Sequence, residues 1–331
     1  MTLEFRMTVL LRPLGIVALV LLGACLPASA QTYPDRVIKL IAPNPPGGLG
    51  DLLLRTFGDY VTAKTGQPTV IENRAGANGN TAWESVAKAP PDGYTIGLVN
   101  TGVVINKFMY KSMRYDVFDD LVPIAPLGDA PQLFFIHGKL PPKTMQEFIA
   151  FAKQQSRKLT YASAGIGSSP HLAGDQLSRR IGVEMVHVPY RGVAPAITDL
   201  IAGHVDSIPV SIGPIRAAVD AGTARPLFAL TPKRLSYFPD VPAAAEVGLP
   251  GLHMSTWFAL VAPKGTPQKI VNQLNAYVRG MLADETSKKR IAGSRLEPMS
   301  MPAAEFAAFM KAQAPVWDKA VRDAGLLAKI E

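Results

Sequence analysis

The segment from residue 37 to residue 57, VIKLIAPNPPGGLGDLLLRTF, spells out a strand, a turn and a helix start in residue types alone. An apolar run over 37–42 stops at Pro43, and Pro45, Pro46, Gly47 and Gly48 then turn the chain. Leu52, Leu53, Phe57 and Val61 follow at helical spacing. Glycines in such a turn leave backbone N–H groups unshielded by a Cβ, and a helix N-terminus adds roughly half a positive charge. A corner like this either holds an anion, carboxylate or phosphate, or is a plain strand-to-helix turn. Taken alone it leaves both readings open.

The same grammar recurs downstream. Strand-like runs occur at 37–42, 69–72, 95–99, 133–136, 159–162, 185–188, 207–210, 226–230 and 257–262, with amphipathic stretches at 50–64, 81–88, 145–153, 170–181, 195–202 and 268–282. This alternation predicts an α/β fold of parallel sheets covered by helices. Ligands of such folds sit at the carboxyl ends of the strands, which selects the loops at 44–51, 73–81, 163–171 and 189–195. In the second, NRAGANGNT, Asn78 or Asn80 is expected to cap the next helix. In the third, SAGIGSSPH, Ser168 or Ser169 is expected to cap with Pro170 at the first helical position. One ligand touched by all four loops would lie between two lobes.

At the N-terminus, Arg6 and Arg12 precede an apolar run over 14–26 and the small-residue triplet Ala28-Ser29-Ala30. The run is shorter than the roughly 20 residues that span a bilayer. It predicts a secretory signal peptide over residues 1–30, cleaved after Ala30, with translation starting at Met1 or Met7. Cys25, the sole cysteine, also sits in a loose lipobox, Leu22-Gly23-Ala24-Cys25, so a lipid-tethered form is the alternative to a free one. Neither form has an internal disulfide, and a mature chain of this length buries enough surface without one. The net charge of +8 contains no basic run longer than Lys288-Lys289-Arg290, and few aromatics interleave with the cations. Nucleic acid is therefore not an expected partner. A modest positive field gathers small anions or merely serves solubility.

Catalytic signatures are missing. His137, His171, His187, His204 and His253 have no metal-ligand spacing and no cysteine to assist them, so neither metal nor cofactor is expected. There is no phosphate-binding G-x-x-x-x-G-K-[ST] loop and no G-x-S-x-G elbow. Gly165-Ile166-Gly167-Ser168 comes within one residue of an elbow, giving a hydrolase reading with Ser168 as nucleophile and His171 or His187 as base. Capping accounts for the same serine. Asp51 reads as a helix-dipole partner and Asp206 as the end of a helix. What remains is a secreted two-lobed α/β protein that binds a ligand and is not an enzyme.

Longer stretches carry a resemblance. YPDRVIKLIAPNPPGGLGD (33–51), VIENRAGANGN (70–80), PPDGYTI (90–96), LTYASAGIGSSPHLAG (159–174), HVPYRGVAPAITDLIAGHVD (187–206), RLSYFPDVPAAAEVGLPG (234–251) and APKGTP (262–267) stand in one order. The chain resembles the periplasmic solute-binding receptors of tripartite tricarboxylate transporters, the Bug receptors, from Tyr33 to about Gly325. The resemblance implies a fold of the type II periplasmic-binding class, with two α/β lobes and a ligand cleft between them. Lobe 1 would comprise residues 31–132 plus 256–331 and lobe 2 residues 133–255, with crossings near 133–135 and 256–259. It implies a monomeric periplasmic receptor for a small organic carboxylate: a di- or tricarboxylate, an acidic amino acid or an aromatic acid. The partner would be a two-component membrane permease or, for an orphan receptor, a sensor kinase.

The resemblance also implies the site. Backbone amides around Pro46, Gly47 and Gly48, and around Ala164, Gly165, Gly167 and Ser168, would hold the ligand. Asp51, Asn100, Thr101, Ser163, His171, Tyr190, Arg191 and Asp206 would lie in the pocket or on its rim. Asn44 stands where an aromatic is common and would add a carboxamide at the mouth. Arg191 stands where lysine is usual; it either grips a carboxylate bidentately or is a solvated loop residue. The stretch 207–214, SIPVSIGP, is a place of wide variation, with Pro209 at odds with a strand.

Overall fold

Parallel pairing starts the fold. Strand β1 (Ile38–Ala42) lies between β2 (Thr69–Asn73) and β3 (Thr95–Asn100), parallel to both. Helix α1 (Leu49–Thr65) makes the first crossover and α2 (Asn80–Ala87) the second. The computed structural model describes residues 33–330, so the expected signal peptide and Cys25 lie outside the described residues. All the elements belong to the compact unit that begins at Arg36.

After α3 (Gly102–Met109) comes β4 (Leu121–His137), 17 residues long. Then follow α4 (Met145–Gln154), β5 (Thr160–Ser163), α5 (Ser169–Ile181), β6 (Val186–Pro189), α6 (Val193–Ala202), β7 (Ser207–Ser211), α7 (Ile212–Asp220) and β8 (Ala224–Ala229). Strand β9 (Ser255–Pro263) and helices α8 (Gln268–Ala283), α9 (Glu285–Ile291) and α10 (Ala303–Asp323) complete the chain. The strand order is β2-β1-β3-β9-β4-β7-β5-β6, with β8 also on β4.

The expectation of parallel sheets needs correction. Strand β9 runs antiparallel to both neighbours, β3 and β4, and β4 is antiparallel to β7 and β8. The fold is a mixed α/β arrangement because β9 returns from the far part of the chain to lie between two strands made earlier. Strand β4 also changes partners: residues 121–131 pair with β9, and from Gln132 onward the strand pairs with β7 and β8. Its first part carries Pro123, Pro126, Pro131 and Gly128, and the register slips at two points there.

Pleating of β4 divides the core. Leu133 and Phe135 enter one apolar cluster with Ile208, Ile212 and Ile215, while Phe134 and Ile136 enter the larger one with Trp83, Phe148, Leu172, Trp257 and Phe306. Phe134 meets Phe148 edge-on at 5.2 Å. Pro209 sits in the middle of β7 opposite Phe134, and the β5 ladder touches β7 only at Ser207, so the missing N–H falls beyond that ladder.

One capping expectation holds and another fails. Ser168 caps α5, its Oγ accepting from His171 N at 3.4 Å, with Pro170 as the second rather than the first helical residue. Neither Asn78 nor Asn80 caps α2, whose N-cap is Gly79 with no side-chain cap. Both asparagines turn instead to the fully buried Asn106: Asn78 Nδ2 donates to Asn106 Oδ1 at 2.8 Å, and Asn106 Nδ2 donates to Asn80 Oδ1 at 2.9 Å. A buried carboxamide left unpaired bears the full desolvation cost of its polar atoms, and the two asparagines meet that demand for Asn106.

Candidate functional site

Five helices begin at one cavity of ≈ 200 Å³. Helix α1 presents its N-cap Gly48 with Leu49 and Gly50, and α3 presents Gly102 just after Asn100. Helix α5 brings Ser168, Ser169 and Pro170; α6 brings Gly192, Val193 and Pro195; α7 brings Ser211 and Pro214. Asn44, Pro45, Pro46, Asn78, Ala164 and Ala194 belong to the same wall, and the sheet supplies Gln132, Val210, Thr256 and Phe258. Among the described residues no acidic side chain lines the cavity, and Arg191 is the one charged group that does. Each helix N-terminus contributes roughly half a positive charge, and the first turn of each leaves donors without intrahelical partners. An electropositive, mostly apolar chamber with neutral donors fits a small anion.

Asn44, Pro46, Gly48, Asn100, Ala164, Ser168 and Arg191 are therefore brought together. Gly47, Asp51, Thr101, Ser163, Gly165, Gly167, His171, Tyr190 and Asp206 do not line the cavity, and each has other work in the structure. Gly47, at φ +91°, donates its N–H at 3.1 Å to Asp51 Oδ2, which also accepts from Arg55 Nε at 2.9 Å. That N–H is directed into the loop, and Pro46 has none to give. Burial raises the Asp51 carboxyl pKa, but the bonds from Arg55, Gly47 and Asn73 together outweigh it and hold the group below its ordinary value.

Asp206 does not end a helix. It precedes β7 and accepts from both Arg157 nitrogens at 2.7 Å, and from Thr160 N at 2.7 Å and Thr160 Oγ1 at 2.9 Å. Burial works against its charge, and these donors prevail, so its pKa also falls. Thr101 ties the β3–α3 corner to β9, its Oγ1 accepting from Trp257 N at 3.0 Å. Tyr190 donates to Asp199 Oδ2 at 2.6 Å.

The loop at 163–168 is braced from behind. Gly165 O accepts from Ser168 Oγ at 2.7 Å and from Ser163 Oγ at 3.0 Å, and Gly167 N donates to His171 Nδ1 at 2.9 Å. His171 stacks on His187 with ring centres 3.7 Å apart. Burial lowers the His171 pKa to about 4; burial and the neighbouring His171 lower that of His187 to about 3. His187 Nε2 lies 2.6 Å from Ser163 Oγ. The hydroxyl hydrogen of Ser168 goes to a carbonyl, while Nδ1 of His171 engages Gly167 and Nε2 of His187 engages Ser163, so among the described residues no hydrogen bond joins Ser168 Oγ to a histidine ring.

As site residues, Gln132, Ser169, Ser211, Thr256 and Phe258 escaped the sequence reading, which took Ser169 for a cap and 256–259 for a crossing. Gln132 and Thr256 lie on strands that meet only through long-range pairing, and no local pattern marks them. Ser211 and Pro214 fall inside the stretch noted for variation.

The profile of the family described as "Tripartite tricarboxylate transporter family receptor" matches residues 53–326. Protein BugT of Bordetella pertussis is 33% identical over 322 residues, covering 97% of this chain and 98% of its own. The solved structure of an R. palustris protein with adipate superposes with a TM-score of 0.84 at 33% identity, covering 88% of this chain and 98% of that one. MatC of Rhodopseudomonas palustris, solved with bound malate, gives a TM-score of 0.80 at 30% identity over 87% of this chain and all of its own.

Proposed function

This chain belongs to the tripartite tricarboxylate transporter receptor family, and from that premise we propose that it captures a small organic carboxylate in the five-helix cavity and delivers it, in the periplasm, to a two-component membrane permease. The convergence of five helix N-termini on a wall with no acidic side chain among the described residues carries this reading. The adipate and malate seated in relatives of about one-third identity support the same ligand class.

In this proposal residues 31–132 with 256–331 form one jaw and residues 133–255 the other, and the change of partner along β4 at Gln132 is where the jaws hinge. The ligand-holding groups are the unengaged N–H groups at the starts of α1 and α5, with Asn44, Asn100 and Ser168 beside them and Arg191 at the rim. Micromolar binding needs about −8 kcal/mol. One helix N-terminus gives at most ~2 kcal/mol in a partly buried site, and desolvation of the anion offsets part of the sum. Holding charge with neutral donors keeps the ligand releasable.

Titration calorimetry of the mature protein with succinate, malate, adipate and benzoate, with glucose and choline as controls, tests the proposal. At least one carboxylate is expected to bind in the micromolar range. Binding of glucose or choline with all four acids inert sinks it.

A further inference from the structure

Asn78 belongs to the cavity wall, and the residue after it is Gly79. An asparagine before glycine is the one that deamidates most readily, because no Cβ shields the following N–H. The turn calls for both residues. Asn78 sits in the left-handed region at φ 51° and ψ 34°, which asparagine tolerates better than most side chains. Gly79 stands at φ +97°, and a Cβ on it would lie 2.7 Å from the Trp83 ring. The fold therefore keeps a chemically labile pair beside the cavity.

Deamidation runs in two steps. Gly79 N, giving its proton to hydroxide, bonds to Asn78 Cγ. The Cγ–Nδ2 bond breaks, and Nδ2 takes a proton from water and leaves as ammonia, which closes a succinimide ring. Water then adds to one of the two ring carbonyls and opens the ring, leaving aspartate or isoaspartate at position 78.

Three features oppose the first step. The ψ of 34° turns Gly79 N nearly opposite Asn78 Cβ across the Cα–C bond, out of reach of Cγ. Gly79 N–H is spent on Gly76 O at 2.8 Å. The leaving nitrogen, Asn78 Nδ2, donates to Asn106 Oδ1 at 2.8 Å. The orientation of the Asn106 carboxamide is fixed, since its Nδ2 donates at 3.2 Å to Asn78 O, a carbonyl that only accepts, and at 2.9 Å to Asn80 Oδ1. Asn80 Oδ1 is held in turn by Tyr115 Oη, which donates to it at 2.8 Å. Asn106 is fully buried and grips Asn78 by both its backbone carbonyl and its side chain.

We propose that Asn78 is a latent deamidation site and that Asn106 is the clamp that keeps it an amide. Once deamidated, a carboxylate oxygen faces Asn106 Oδ1 with no hydrogen between them, and the cluster loses its pairing. A Cβ on Gly102, at the start of α3, would lie 3.8 Å from Asn78 Nδ2, so the new charge arises beside the cavity end of that helix. Resting on the carboxylate-receptor reading, this negative charge stands next to a wall with no acidic side chain among the described residues and repels the ligand.

The test incubates the mature protein in mildly alkaline buffer, native and unfolded in guanidinium chloride, and follows the conversion of Asn78 by peptide mapping in a mass spectrometer. The native chain is expected to deamidate there at least about tenfold more slowly than the unfolded chain, because the reaction waits for local opening. Asn106→Leu is expected to speed the reaction in the native protein at least about tenfold. Asn78→Asp is expected to melt below the wild type and to bind its carboxylate at least about threefold more weakly in calorimetry. Equal rates in native and unfolded wild type overturn the proposal, and so does a native Asn106→Leu that reacts no faster. An Asn78→Asp protein that melts with the wild type and binds as tightly overturns it as well. Should Asn106→Leu not fold, the native-to-unfolded ratio of the wild type and the Asn78→Asp protein decide. If no carboxylate binds the wild type, the receptor reading falls, while the deamidation rates still judge the clamp.

Discussion

Asp206 is a carboxylate that holds structure together. Its four donors include the half-buried Thr160 N–H, which would lose its acceptor without it. Asp206→Ala is expected to lower the free energy of unfolding by about 1–3 kcal/mol in urea titration, while ligand affinity changes less than about threefold. A collapse of affinity at unchanged stability would return the residue to the binding site. The stacked histidines give a second expectation at this scale. An unfolded histidine titrates near 6.5, whereas His171 titrates at about 4. Between those values the unfolded chain takes up a proton that the folded chain refuses, so stability falls as the pH drops. The contribution is fully present above about pH 6.5, and His171 alone removes about 2 kcal/mol by pH 5 at ~1.4 kcal/mol per unit. Urea midpoints that do not move between pH 7.5 and pH 5 would contradict the buried neutral pair. Neither role was legible in the sequence: His171 and His187 are 16 residues apart, Asp206 is 46 to 49 residues from Thr160 and Arg157, and no residue type announces such a partner.

At the level of elements, the loop before α5 is locked to α3. A Cβ on Gly167, at φ +75°, would lie 1.8 Å from Met109 Sδ and 2.0 Å from its Cε, and Met109 is fully buried. Gly182, at φ +62°, caps the other end of α5 and has open space around it. Gly182→Ala is expected to cost about 1 kcal/mol from backbone strain alone, and Gly167→Ala about 1–3 kcal/mol more from overpacking. Thermal unfolding of the two variants measures the difference, and equal losses would mean that Met109 swings aside freely. Element starts were the most readable part of the chain, because Gly48 and Ser168 act on their immediate neighbours. The first part of β4 was not readable: Pro123, Pro126 and Pro131 all argue against a strand, and only the bulged pairing with β9 accommodates them. Helix α10 likewise runs through Pro315. The asparagines at 78 and 80 suited capping by type and were claimed by Asn106 instead.

At the scale of the whole molecule, the site is held by neutral dipoles in a partly enclosed chamber. Its affinity should therefore change only a few-fold between low salt and about 0.5 M salt, since buried interactions are weakly screened. A steep salt dependence would move the main burden to Arg191. Bound ligand at 100 times Kd should add about 2.7 kcal/mol of stability, read as a rise in Tm. The two corners of the cavity were legible because each is a local strand–turn–helix sequence. Its floor was not, since Gln132 meets Thr256 through a sheet order that no window of sequence contains. That order has a consequence for how the chain is made. Strand β9 lies between β3 and β4, yet it is synthesised more than a hundred residues after either. Until residues 255–263 leave the ribosome, β3 and β4 face a gap that nothing earlier in the chain fills, and the first-made sheet stays open at its middle. A nascent chain with its keystone at the far end remains threadable for most of its synthesis, which is the condition a protein needs if it must cross a membrane before it folds.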